Sequence, residues 1–428
     1  MSTVRPIASV PVGDTGLRFA QGVRAGQWLF FTGHEATDYD SGIVPAVAGV
    51  PALPLAGKAR TRREGDFILG RLAKLVEGEG SNLRHIIRVD QFYPTGDSPA
   101  GYHHARKALL KDHIPPSTSA IMNDLLVKDA RMNVSMMAVM PGSVPEPKAA
   151  RPADVPVAPT SGFIPSLVVG DYVFVAGQLA NNVELTGVDS KAFRPKTAPW
   201  ANTDIRLQTE VVVSRLKSAL AAGGSSFKNA VKAQVYLTDM QDLPEFMDVW
   251  NAHVGDQPCA LTVVNTQMLG VTECKVEINI FGVRDDGKIK KEIIKHKGSE
   301  SMRLGPAAVR AGDLLCPSAL YAADSNGAIP AAIKSAGLRH LGVPVNHQMN
   351  AILGALEDIC KAGGTSLENL LRVHHFVGDI TTVYPALQAW HGKLNGAPIP
   401  FAAVAMSTPT PVPGCDLTVD AWFYCPGK

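Results

Sequence analysis

One pattern constrains this chain more than any other, because it appears three times. A glycine-marked helix ending, Gly78-Glu79-Gly80-Ser81-Asn82-Leu83, returns as Ala222-Gly223-Gly224-Ser225-Ser226-Phe227 and again as Ala362-Gly363-Gly364-Thr365-Ser366-Leu367. The spacing is close to a third of the 428 residues. That period is too long for a solenoid repeat and fits whole small domains. Boundaries are expected at 1–145, 146–292 and 293–428. A protein built this way can place chemistry between its copies as well as within them.

The text around each glycine run supports the same unit. Each copy opens with a turn and an apolar strand: Arg24 to Phe31, Val169 to Val175, and Arg310 to Cys316. Glycine plus a polar residue between β-rich runs is hairpin chemistry. A small-residue corner follows: Thr32-Gly33-His34, Ala176-Gly177-Gln178, and Pro317-Ser318-Ala319. Apolar residues at helical spacing come next, as in Val212, Val213, Leu216 and Leu220, with Asp204 as the expected N-cap. A β-branched strand, a second helix and two last strands complete the unit. The reading is α+β, ββαβαββ three times over. Pro141 to Thr160 reads as an extended linker, and Arg284 to Glu300 as an exposed charged excursion. An insertion near Gly187 to Trp200 marks the second copy; loops of that size tend to be functional or disordered.

Bulk properties exclude several classes. Net charge is +2, from 41 basic and 39 acidic residues, with no long like-charge block, so nucleic acid and membrane surfaces have no electrostatic claim. No run of ~18 apolar residues is present, so no membrane span is expected. The start lacks a basic segment followed by an apolar core, so no secretory signal is expected. The six cysteines form no Cys-x-x-Cys pair, which favours reduced thiols and a cytoplasmic setting over a disulfide frame or zinc site.

Copy two holds Val231-Lys232-Ala233-Gln234-Val235-Tyr236-Leu237-Thr238-Asp239-Met240, then Leu243, Phe246 and Trp250, together with Ala176-Gly177-Gln178 and Val276-Glu277-Ile278. These residues resemble the RidA/YjgF family of imine and enamine deaminases over about 115 residues. Copies one and three share the strand–helix–glycine frame. The resemblance implies a chorismate-mutase-like fold and trimers with ligand pockets between neighbours. For this chain it implies three tandem domains closing as an intramolecular pseudotrimer. It implies no cofactor and no metal, and a small-molecule substrate as the partner. Further copies of the chain are partners that this reading leaves open.

The same resemblance implies an arginine after the proline of the penultimate strand to hold a substrate carboxylate, and a glutamate in the last strand to orient water. The arginine's place falls near Ser117, Ala260 and Phe401, none of which offers its bidentate fork. A neutral or aromatic ligand is therefore expected, unless a cation arrives from elsewhere. The glutamate persists as Glu277, with Asn133 and Thr418 at the other two positions. Glu277 and His34 are the expected catalytic residues. Phe163, Gly177, Gln178, Phe19, Thr32, Gly33, Cys259 and Asn279 are the expected substrate-binding residues. His103-His104 and His374-His375 read as surface or strand alternation rather than metal ligands, because adjacent histidines rarely share one ion. Arg88, Lys232 and Arg372 share one repeated position and read as structural. The leading expectation is a cofactor-independent hydrolase or deaminase acting on a small imine, enamine or related C–N compound. The alternatives are a chorismatase-like hydrolase of a ring or enol substrate, and a ligand-binding protein without catalysis.

Overall fold

A computed structural model describes residues 4–49, 57–157, 161–329, 343–406 and 410–427. The chain begins with β1 (Arg5–Pro11), β2 (Arg18–Ala25) and β3 (Trp28–His34), then a short α1 (Pro45–Ala48) and α2 (Arg60–Gly78). It continues through β4 (Ile86–Tyr93), α3 (Ser98–Leu110), β5 (Ser117–Ile121), β6 (Asp124–Leu125) and β7 (Asn133–Val139). The next stretch holds β8 (Lys148–Ala150), β9 (Ser166–Val169), β10 (Tyr172–Leu179), α4 (Asp204–Ala222), β11 (Ser225–Leu237), α5 (Leu243–Val254), β12 (Ala260–Asn265) and β13 (Val276–Arg284). After it come β14 (Lys291–Ile294), β15 (Ala308–Ala311), β16 (Leu314–Pro317) and a small hairpin of β17 (Ala323–Asp324) and β18 (Gly327–Ala328). The chain closes with α6 (Pro344–Gly363), β19 (Leu370–Val377), α7 (Val383–Lys393), β20 (Phe401–Ala405) and β21 (Leu417–Tyr424).

Three large sheets share one strand order. They run β1-β2-β3-β7-β4-β5, β8-β9-β10-β13-β11-β12, and β14-β15-β16-β21-β19-β20-β6. In each, one pair is parallel: β4 with β5, β11 with β12, and β19 with β20. Parallel neighbours need a crossover, and α3, α5 and α7 supply it. The long helices stop where the sequence says they should. Gly80, Gly224 and Gly364 each follow a helix at φ near +80°, a left-handed turn that side chains with a Cβ resist.

Both connectors are more ordered than the sequence suggests. The Pro141 to Thr160 segment contributes β8, and the Arg284 to Glu300 segment contributes β14. Each pairs with the outer strand of a hairpin, which gives its backbone groups partners that an exposed excursion would lack. β14 also runs across the boundary expected at 292/293.

Each sheet covers its helices with one face. The opposite faces of all three meet in a common core, where Trp422 packs against Phe30 at 6.1 Å and Phe281 at 5.0 Å between ring centroids and Trp28 packs edge-on to Tyr172. A buried ionic network crosses the same junction. Arg88 grips Asp90 through two bonds of 3.0 and 2.7 Å, and Arg372 lies 3.7 Å from Asp90 and 3.2 Å from Asp420. Lys232 pairs with Asp420 at 2.8 Å and donates to Pro317 O. These groups come from three sheets, and buried charges of this kind persist only when paired.

Candidate functional site

A cavity of about 300 Å³ opens between the first and second sheets. One wall is α3 and β5; the other is the β10 corner and β13. Glu277, Gly177, Gln178 and Phe163 all line it.

Glu277 points from β13, which alternates faces as a strand must. It is 4% exposed. Burial raises its pKa to about 8; the Ser119 backbone N–H opposes the shift, Asp90 adds to it, and Arg88 works against it. The carboxyl is thus predominantly protonated at neutral pH yet close to its titration point. Gly177 belongs to the corner where β10 slips register against β13. A Cβ there would overlap Glu277 Oε1 and approach Thr118 Oγ1, so the corner can pass this close only as glycine. Gln178 Nε2 donates to Ala176 O at 3.1 Å, which locks the corner's far side.

The cation that the strand lacks arrives from a helix. Arg106, on α3, is fully buried and lines the same cavity. Its Nη1 donates to Ser117 Oγ at 2.9 Å and its Nη2 to Ser161 O at 3.0 Å. Ser117 is the residue at which the family resemblance locates its arginine, so the guanidinium occupies that neighbourhood by a different route. Arg106 Nε has no partner, and no acidic side chain among the described residues pairs with this guanidinium. His103, one turn earlier, also lines the cavity. Burial, Arg106 and His104 push its pKa down to about 3, so the imidazole is neutral. The remaining wall is largely apolar, with Phe163, Leu185 and Val271.

Neither Arg106 nor His103 stood out in the sequence. The family pattern puts the arginine on a strand, and the adjacent histidines carry no metal-ligand spacing, so neither residue is marked by its motif. Their i, i+3 spacing on a helix puts both on one face, and that was the available signal.

Six of the expected site residues are not in this cavity. His34, Phe19, Thr32 and Gly33 lie at a different seam, where the first sheet meets the third. There His34 Nε2 bonds Gln21 O at 2.6 Å, and burial holds its pKa down at about 3. Phe19 packs against His34, Tyr39 and Phe401, and Gly33 abuts the Phe401 backbone. A separate cavity of about 330 Å³ at this seam is lined by Tyr39 and Phe401, while His34 itself is fully buried and its imidazole is neutral at ordinary pH. Cys259 is buried beside the third seam, where Ser318 Oγ accepts from Leu261 N and donates to Pro306 O. Burial pushes its thiol up to about 11, which leaves it inert. Asn279 shares the Glu277 face of β13 but stays outside the cavity. Among the described residues no group of three His, Cys, Asp or Glu is placed to hold a metal ion, and no helix is long and apolar enough to cross a membrane.

Comparison with known proteins matches parts of this chain to one family. The family model described as endoribonuclease L-PSP matches residues 155–283. A RutC family protein of Pyrococcus abyssi is 30% identical over 111 residues, which is 26% of this chain and 78% of that protein. A second, from Pyrococcus horikoshii, is 31% identical over 117 residues, 27% of this chain and 81% of the relative. Among solved structures, RidA from a Psychrobacter species aligns over 32% of this chain and 98% of its own, at 23% identity and a TM-score of 0.27. A chorismatase aligns over 65% and 80%, at 14% identity and a TM-score of 0.44. By the extent and identity of the RutC matches, this chain belongs to the RidA/YjgF family, the family of the endoribonuclease L-PSP model.

Proposed function

We propose that the cavity between the first and second sheets hydrolyses a small anionic imine or enamine, releasing ammonia or an amine. The observation that carries this reading is a protonated, buried Glu277 sharing one small cavity with a buried guanidinium that has no carboxylate partner. A buried cation without a counter-charge is costly, and an anionic ligand relieves that cost. Arg106 therefore reverses the sequence-based expectation of a neutral ligand.

The chemistry follows from the protonation states. Glu277 gives its proton to the C=N nitrogen. Water adds to the carbon and returns a proton to the carboxylate, leaving a neutral carbinolamine. Glu277 then protonates the amino group and takes the hydroxyl proton as the C–N bond breaks. A carbonyl product and an amine leave, and Glu277 ends as it began. A group that titrates near the working pH serves both directions well. His103, neutral throughout, is placed to hydrogen-bond the substrate without competing for its charge.

The wider architecture is part of the proposal. We read the chain as three tandem RidA-like units, at 1–145, 146–292 and 293–428, closed as a pseudotrimer with one working seam. The shared strand order and common core support it.

The test is ammonia release from imino acids generated in situ. Wild type should accelerate it, and Glu277→Gln should lower kcat by about 10²- to 10⁴-fold, the usual worth of a positioned acid–base group. Arg106→Met should raise KM for carboxylate-bearing substrates while sparing their neutral amides. An unchanged kcat in Glu277→Gln, or no acceleration by wild type, overturns the assignment.

A further inference from the structure

The chain between β10 and α4 does something a plain connection would not. Asn181 bridges to Val188, and the turn between them carries Leu185 into the cavity wall. Leu185 sits at φ +60°, a backbone conformation that a bulky residue adopts only under constraint. The constraint is visible. Leu185 N donates to Asn182 O at 3.2 Å, Thr186 N to Asn182 Oδ1 at 2.9 Å, and Asn182 N to Gly187 O at 2.8 Å. Arg215, from α4, clamps the base of the turn. Its guanidinium bonds Leu179 O, Asn181 O and Asn181 Oδ1, and pairs with Asp189 at 3.1 Å.

This is a stiff wall rather than a mobile flap. Every polar link pulls the turn toward one geometry, and the product of that effort is a leucine side chain held against the space beside Glu277. Arg106 on α3 and Leu185 on this turn both line the one small cavity, so the apolar part of an anionic ligand bound by Arg106 shares its space with Leu185.

We propose that the Asn181–Val188 turn is the specificity device of this site, with Leu185 limiting the length of the apolar substituent on the substrate. The proposal rests on the hydrolase reading for its substrate, but it can be tested without turnover. Leu185→Ala keeps the Cβ and so the left-handed constraint, while withdrawing three carbons of wall. Leu185→Gly withdraws the wall and the constraint together.

The probes are straight-chain monocarboxylates of increasing length, titrated calorimetrically into the whole protein, alongside kcat/KM for imino acids with matching side chains. Wild-type affinity should rise with length to a limit and then fall. In Leu185→Ala the limit should move out by two or three methylenes, with about a fourfold gain for each newly accommodated one. Leu185→Gly should extend the limit as far. A limit that stays put in both variants refutes the wall, as does a wild type that binds none of the carboxylates. If the binding limit shifts but no imino acid is turned over, the wall stands and the hydrolase reading falls. If turnover is intact with an unshifted length preference, the reverse holds.

Discussion

Replacing Glu277 with glutamine should make the protein more stable, and by an amount that depends on pH in a defined direction. In the folded chain burial raises this carboxyl to about 8 from an ordinary 4.5. Between those values the folded protein holds a proton that the unfolded chain has released. Wild-type stability therefore falls as pH rises through this window and levels off above it. Each unit is worth about 1.4 kcal/mol, so the cost is on the order of 3 kcal/mol at pH 7 and approaches about 5 kcal/mol above pH 8. Glutamine is nearly isosteric, accepts the same Ser119 N–H bond and has no proton to lose. The assay is urea unfolding of both proteins at several values between pH 5 and pH 9. The difference between them should be small at the acid end and grow steadily to about pH 8. Glu35 is also buried and raised to about 8, but it is common to both proteins and cancels in the difference. A difference that is flat with pH, or that shrinks as pH rises, would mean that Glu277 is ionised in the folded state and that its role as a proton donor is wrong.

Two substitutions test the frame around that carboxyl. Gly177→Ala should force Glu277 or the corner to move, since the new methyl would overlap Oε1; the expected cost is about 1–3 kcal/mol in urea unfolding together with loss of activity, and full activity would show that the close approach is unimportant. Lys232→Met should leave Asp420 buried with less counter-charge and cost about 3 kcal/mol, read by the same unfolding measurement; a change under about 1 kcal/mol would show that Arg372 and Gln234 suffice.

Much of the fold was legible because local chemistry agreed with tertiary packing. The glycine runs mark helix ends, and Gly80, Gly224 and Gly364 have the left-handed backbone that such ends need. The strands at Ile86–Tyr93 and Leu370–Val377 coincide with β-branched and aromatic runs. The edge strands Lys148–Ala150 and Lys291–Ile294 carry no strand signal of their own, being short segments inside proline-rich and charged connectors; a neighbouring strand's free edge makes them strands. Glu277 could be read from a strand pattern. For Arg106 the helical spacing with His103 gives a shared face, but that α3 lies over Ser117 is a contact between elements that spacing alone does not record. The location of His34 away from the Glu277 cavity has the opposite cause. Its corner looks like that of Gln178, but Phe401 from the third sheet packs into the space beside it.

The ionic network at the meeting point of the sheets has a bearing on ancestry and engineering. Two acids, Asp90 and Asp420, serve Arg88, Lys232 and Arg372, while the middle sheet offers only Gln234 where the first has its aspartate. The division of labour among the three sheets is unequal. Three sheets each carrying the middle one's pattern would crowd lysines together without an aspartate beside them. Exchanging the charged residues of one sheet at this junction for those of another should therefore unbalance it and destabilise the fold.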